Sequence, residues 1–182
     1  MPNWCDNTVD LTHSDKDKID ELEAELQKGN DAHILQHLCP GPEEWDYGWC
    51  VENWGTKWEA NIIGWERTSD NTINVAFETA WSPPIALYEF LESEEWQVKA
   101  YYYEPGMCFA GIYEDGSDDC FDYSGLSAEE IREQLPEELD DMYCISEQQE
   151  EWDAEMADEE DYTEDEMLQA LDELKKEFDK EK

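Results

Sequence analysis

The chain has 182 residues, 51 of them acidic and 11 basic, for a formal net charge of −40 at pH 7. That charge excludes direct binding to nucleic acid, whose phosphates need Lys and Arg to neutralise them. It also disfavours an anionic membrane surface, so the expected partners are basic proteins, basic patches or cations.

Aromatic residues make up 13% of the chain, with nine Trp and nine Tyr, which is material for a core that an acidic disordered polymer lacks. Cys5, Val9 and Leu11 alternate with Asp6, Thr8 and Asp10, the pattern of a half-buried strand. Ser14 with Asp17 three residues on opens a helix, whose inner face is Ile19, Leu22 and Leu26 and which Gly29 stops. Residues 31–56 read as irregular around Pro40-Gly41-Pro42, with a short helix from His33 to Leu38. A second strand is expected from Trp58 to Glu66, a turn at Asp70-Asn71, and a third strand through Ile73, Val75, Phe77 and Thr79. Ser82-Pro83-Pro84 starts a second helix with Ile85, Tyr88 and Leu91 facing inward, and Gln97 to Tyr103 form a fourth strand. The order βαββαβ predicts an α+β fold, a ferredoxin-like sandwich. Met107–Tyr113 and Cys120–Tyr123, hinged at Glu114-Asp115-Gly116, add a hairpin to it.

Composition changes near Leu126. Residues 1–126 hold 27 acids and 6 bases, residues 127–182 hold 24 and 5, and eight of the nine Trp lie in the first part. The expected organisation is a ferredoxin-like domain at 1–125 and an acidic helical extension at 126–182. Ser127 caps the first helix of the extension, Pro136 interrupts it, and Thr163 caps a last helix striped with Met167, Leu171, Leu174 and Phe178. No stretch approaches the roughly 20 apolar residues of a membrane span. Met1-Pro2-Asn3-Trp4-Cys5-Asp6 has neither the basic region nor the apolar run of a signal peptide. The six cysteines form no CxxC pair. They are expected to be reduced thiols in a cytoplasmic protein.

Three stretches carry a resemblance: Met1-Pro2-Asn3-Trp4-Cys5-Asp6-Asn7, Glu52-Asn53-Trp54-Gly55-Thr56-Lys57-Trp58, and Phe77-Glu78-Thr79-Ala80-Trp81-Ser82-Pro83-Pro84. In this order they resemble the YubB/Api92-like family of phage and conjugative-plasmid proteins, over roughly residues 1–123. The resemblance implies a ferredoxin-like domain and a mobile-element origin. It implies no activity, and it does not reach the acidic segment after residue 126.

Catalysis by paired carboxylates needs two of them in different environments within one cleft. No pair stands out, and no enzyme and no cofactor are expected. His33, His37 and Cys39, with Cys50, match no standard zinc spacing. Glu114-Asp115-Gly116-Ser117-Asp118-Asp119 lacks the alternating ligands of a calcium loop and reads as a solvated turn. Trp54, Trp58 and Trp81 around Lys57 are read as core flanking a strand, with Lys57 held by a cation–π contact or a buried acid; the competing reading is an aromatic recognition surface. Trp54-Gly55-Thr56-Lys57 lacks the first glycine and the spacing of a phosphate loop.

Charge is the strongest feature. If residues 127–182 were all helical they would span about 84 Å. Their 24 acids would fall about 3.5 Å apart, close to the ~3.4 Å per phosphate along one DNA strand. The expectation is therefore DNA mimicry: inhibition of a basic nucleic-acid-binding host protein of restriction or CRISPR type. The exposed acids Glu129, Glu130, Glu133, Glu137, Glu138, Asp140, Asp141, Asp158, Glu159, Glu160 and Asp161 would carry it collectively. The alternatives are an assembly protein that forms a homodimer through the C-terminal stripe, and a small metal-binding protein or enzyme using His33, His37 and Cys39 or the Trp54–Trp58 region.

Overall fold

Alternation along the strands decides which faces are buried. In β1 (Trp4–Thr12) Cys5, Asn7, Val9 and Leu11 point into the core, while Asp6, Thr8 and Asp10 lie on the opposite face. The same period of two buries Ile73, Val75, Phe77 and Thr79 of β3 (Thr72–Ala80) and Val98, Ala100 and Tyr102 of β4 (Gln97–Glu104). With β2 (Asn61–Ser69), β5 (Phe109–Glu114) and β6 (Ser117–Asp122) these strands form one antiparallel sheet in the order β2-β3-β1-β4-β5-β6. The computed structural model describes residues 3–157. Among them the architecture is mixed α+β, with this six-stranded sheet and seven helices. Contacts divide the chain into two units, Met1–Ser124 and Gly125–Lys182.

In the first unit α1 (Lys16–Leu26) and α4 (Ile85–Ser93) supply the apolar layer on the sheet. Ile19, Leu22 and Leu26 of α1 and Leu87, Tyr88 and Leu91 of α4 are buried against Val9, Leu11, Ile73, Val75, Val98 and Ala100. Fully burying one such aliphatic side chain stabilises the fold by about 1.5–3 kcal/mol, so these rows hold helices to sheet. The cap of α1 is Asp15, one residue later than the Ser14 expected, because its carboxylate is the group that reaches Asp17 N. Pro84 stands before α4 as its cap residue instead of inside its first turn.

Residues 31–56, expected to be irregular beyond one short helix, hold both α2 (Ile34–Leu38) and α3 (Tyr47–Asn53). Asp46 starts α3 by accepting from Trp49 N. β2 begins at Asn61, three residues after the expected Trp58, because the Glu59 carboxylate is drawn to the start of α2. The added hairpin is present, with Asp115 and Gly116 both at positive φ (50° and 74°), the conformation of a two-residue turn that matches strand twist. Acids on β6 (Asp118, Asp119, Asp122) put like charge along this sheet edge and discourage edge-to-edge pairing.

On β5, Gly111 faces Tyr102 of β4, whose ring covers it and whose hydroxyl donates to Asp118 Oδ1 at 2.6 Å. A Cβ at Gly111 would lie 2.2 Å from the Tyr102 ring and 2.7 Å from Asp119 O. Gly111→Ala should therefore cost about 2 kcal/mol, read as a lower denaturant midpoint at unchanged slope.

In the second unit α5 (Ala128–Gln134) opens with a full capping box between Ser127 and Glu130, and α6 (Glu137–Tyr143) follows Pro136. Cys144 takes a left-handed conformation (φ 52°), and residues 145–157 are helical. The described part is not the single rod that DNA-like spacing requires. It breaks at Leu135-Pro136 and at Cys144, and Arg132 of α5 pairs with Glu150 at 2.6 Å. Ile131, Leu135, Leu139 and Ile145 are buried.

Candidate functional site

The acidic face of the second unit comes from short helices whose polar sides carry almost only carboxylates. Glu129, Glu130, Glu133, Glu137, Glu138 and Asp141 are exposed. Glu130 is spent on its cap, where two hydrogen bonds from Ser127 hold its carboxyl below the ordinary value. Asp140 has to be removed from the expected set. It is buried, and its two oxygens accept from Ser146 N (2.7 Å) and Ser146 Oγ (2.6 Å), which fixes the turn at Cys144. Asp158, Glu159, Glu160 and Asp161 lie outside the described residues, as do Thr163 and the stripe Met167, Leu171, Leu174 and Phe178.

Three exposed acids that were not singled out extend the face. Glu147, Glu151 and Glu155 fall on one stripe of the helix at 145–157, about 6 Å apart by helical rise, while Asp153 lies on the other side, where it accepts from Gln149 Nε2. Residues 125–157 contain a single base, Arg132. The i, i+4 spacing was the signal that could have found this stripe. Like charges at that spacing destabilise a helix by a few tenths of a kcal/mol each, a cost this segment accepts three residues in a row along its stripe.

In the first unit the three stretches that carried the family resemblance converge at one end of the sheet. Asn7 Nδ2 donates to Thr79 Oγ1 (2.9 Å) and to Cys5 O (2.9 Å), and Thr79 Oγ1 donates to Ser82 O (2.8 Å). Ser82 Oγ donates to Gly55 O (2.8 Å), Thr56 Oγ1 to Ala80 O (3.0 Å), and Trp81 N to Asn3 O (3.0 Å). The motif residues therefore do structural work, knotting the end of β1, the loop after α3 and the approach to α4.

The tryptophans divide around this knot. Trp54 is core, its indole N–H held by Cys39 O at 2.9 Å. Trp58 is half-buried, with Lys57 Nζ 4.5 Å from its ring centre, the first of the two settings expected for that lysine. Trp81 is exposed and stands at φ 74°, a left-handed conformation costly for a bulky residue.

No group of three or more His, Cys, Asp or Glu among the described residues is placed to hold a metal. His37 instead turns to Glu25, 3.8 Å from its carboxylate, while Cys39 is buried. Glu25 is itself buried and accepts from His33 N and from Lys28. Burial pushes its carboxyl up, but those donors together with His37 outweigh it and hold the group below its ordinary value. A depressed folded value means that Glu25 stabilises the fold above about pH 4.5, and that this contribution is lost as pH falls through the lower folded value. Glu25→Ala should cost about 2 kcal/mol at neutral pH, and urea melts should show the gap to wild type closing below pH 4.5.

Glu59 is the polar residue that sequence reasoning passed over. Its oxygens accept from Leu35 N (2.8 Å), Gln36 N (3.0 Å) and Ala60 N (3.0 Å). Burial still raises its carboxyl above the ordinary value, against the pull of those three donors and of His33. Nothing in the local pattern marked it, since two of its three donors come from α2, more than twenty residues earlier.

No family model matches the chain, and no curated protein matches it. Among solved structures it is similar to a protein api92 from Yersinia pseudotuberculosis, at 24% identity over 52% of this chain and 36% of that one, with a TM-score of 0.33. The likeness thus spans about a third of the length of that structure. No described helix is long and apolar enough to cross a membrane.

Proposed function

We propose that the protein is a non-enzymatic polyanionic binder that occupies the basic groove of a nucleic-acid-handling host protein, as a DNA mimic. The observation that carries this reading is the run of exposed carboxylates in residues 125–157, set on folded helices with one base among them. A fixed array of that kind does what a phosphate backbone does for a basic groove, without the conformational entropy that a disordered acidic tail loses on binding.

The inhibited protein would be of restriction or CRISPR type, and the setting the host cytosol. The strand order β2-β3-β1-β4 with α1 and α4 in the crossovers supports a ferredoxin-like core for the first unit. Membership of the YubB/Api92-like group, and with it a phage or plasmid origin, belongs to the same reading and is supported by the three quoted motifs.

The test is capture from host lysate on immobilised full-length protein at 50 mM and 500 mM salt, followed by a challenge with duplex DNA. A bound nucleic-acid-binding protein that is lost at high salt and displaced by the duplex supports mimicry. A partner that ignores both salt and DNA sinks it.

A further inference from the structure

Between the start of α2, the loop before α3 and the strand approach at Trp58 lies a cavity of about 450 Å³. Its walls include Trp45, Trp49, Trp54 and Trp58. Trp49 stands edge-on to Trp54, with ring centres 5.3 Å apart at 87°. The N–H of Trp45 is held by Lys57 O (3.2 Å) and that of Trp54 by Cys39 O (2.9 Å). With those donors committed, these two rings have only their π surfaces to offer a ligand.

Carboxylates supply the rest. Glu43, Asp46 and Glu59 line the same cavity, with His33 the one basic side chain in its lining. Glu59 is fixed in place by three backbone N–H groups and Asp46 by Trp49 N. Aromatic faces beside fixed carboxylates attract a cation that also carries apolar surface. The chain already uses this affinity in Lys57 above Trp58 and in Lys99 above Tyr101.

We propose that this cavity receives an arginine side chain of the basic partner. The inference rests on the reading of the protein as a binder of a basic protein, and it names a contact the acidic helices cannot supply. A guanidinium is planar, weakly hydrated and forked, so it stacks on indole while bonding a carboxylate; an ammonium is a compact, strongly hydrated point charge. An anion is excluded by the three carboxylates. A neutral apolar guest would desolvate Glu59 further with no charge to answer it.

The probe is a capped Gly-Arg-Gly tripeptide titrated into the full-length protein and followed by tryptophan fluorescence and indole N–H shifts. Saturable binding is expected. Gly-Lys-Gly should bind several-fold more weakly, and the uncharged citrulline peptide at least tenfold more weakly. Trp45→Ala removes a ring that is 63% exposed, and with it about tenfold in affinity. Glu43→Lys, an exposed change at the rim, should do the same with the fold intact. Equal binding of the citrulline peptide, a preference for lysine, or no saturation overturns the proposal. Failure here with DNA-displaceable capture intact refutes the arginine pocket alone. Saturation with no DNA-displaceable partner refutes mimicry alone.

Discussion

Glu133, Asp141, Glu151 and Glu155 changed together to lysine should weaken capture of the basic partner by about a hundredfold to a thousandfold, while each single change should cost no more than a few-fold. All four are exposed, and none lies in the first turn of its helix, so the far-UV spectrum should be unchanged. The size of the effect follows from how exposed charges act. One such contact is worth about 0.2–1 kcal/mol, and reversal replaces attraction with repulsion at each of four positions. Most of the loss should appear in the association rate, and it should shrink as salt shortens the Debye length. If one of the four single variants removed all binding, a specific pocket would have to replace collective electrostatics. The arginine cavity of the first unit, far from these positions in sequence, keeps its peptide affinity in the quadruple variant under either outcome.

Asn7→Ala should destabilise the first unit by about 3 kcal/mol, enough to lower its thermal midpoint by roughly 10 °C. Asn7 is 2% exposed on the interior strand β1. It donates to Cys5 O and Thr79 Oγ1 and accepts from Tyr88 Oη at 3.2 Å. Truncation strips a buried carbonyl and a buried hydroxyl of their donor and leaves a small void, where no apolar side chain repairs the lost pairs. Asn7→Leu should thus rescue volume but not stability. Thr79→Val, measured alone and with Asn7→Ala, should show strong non-additivity, because both changes break the same bonds. A cost under 1 kcal/mol for Asn7→Ala, or simple additivity of the pair, would mean that the knot of motif residues does not hold the sheet end together.

Much of the fold was legible locally. Val9-Asp10-Leu11 and Ile73 to Thr79 alternate without interruption and became strands in register with each other. Ser127 and Glu130 are three residues apart and became a capping box. Helix α3 was missed because it has seven residues and buries only Cys50, too little for a periodic signal. The start of β2 was misplaced because Trp58, Ala60 and Ile62 look like the inner face of a strand. Glu59 between them is pulled to α2, and the strand starts after it. Asp140 reads as a surface acid in the sequence because composition does not distinguish a solvated carboxylate from one that closes a turn.

The amino-acid sequence alone settled the charge, the strand faces of β1 and β3, the hairpin turn and the Ser127 cap, because each depends on residues within a few positions of one another. Tertiary structure decided what meets across distance: Asn7 with Thr79, Glu59 with the start of α2, and four tryptophans around one cavity. Those meetings follow from strand register and from where α2 and α3 come to rest, and no neighbour-to-neighbour pattern encodes either one.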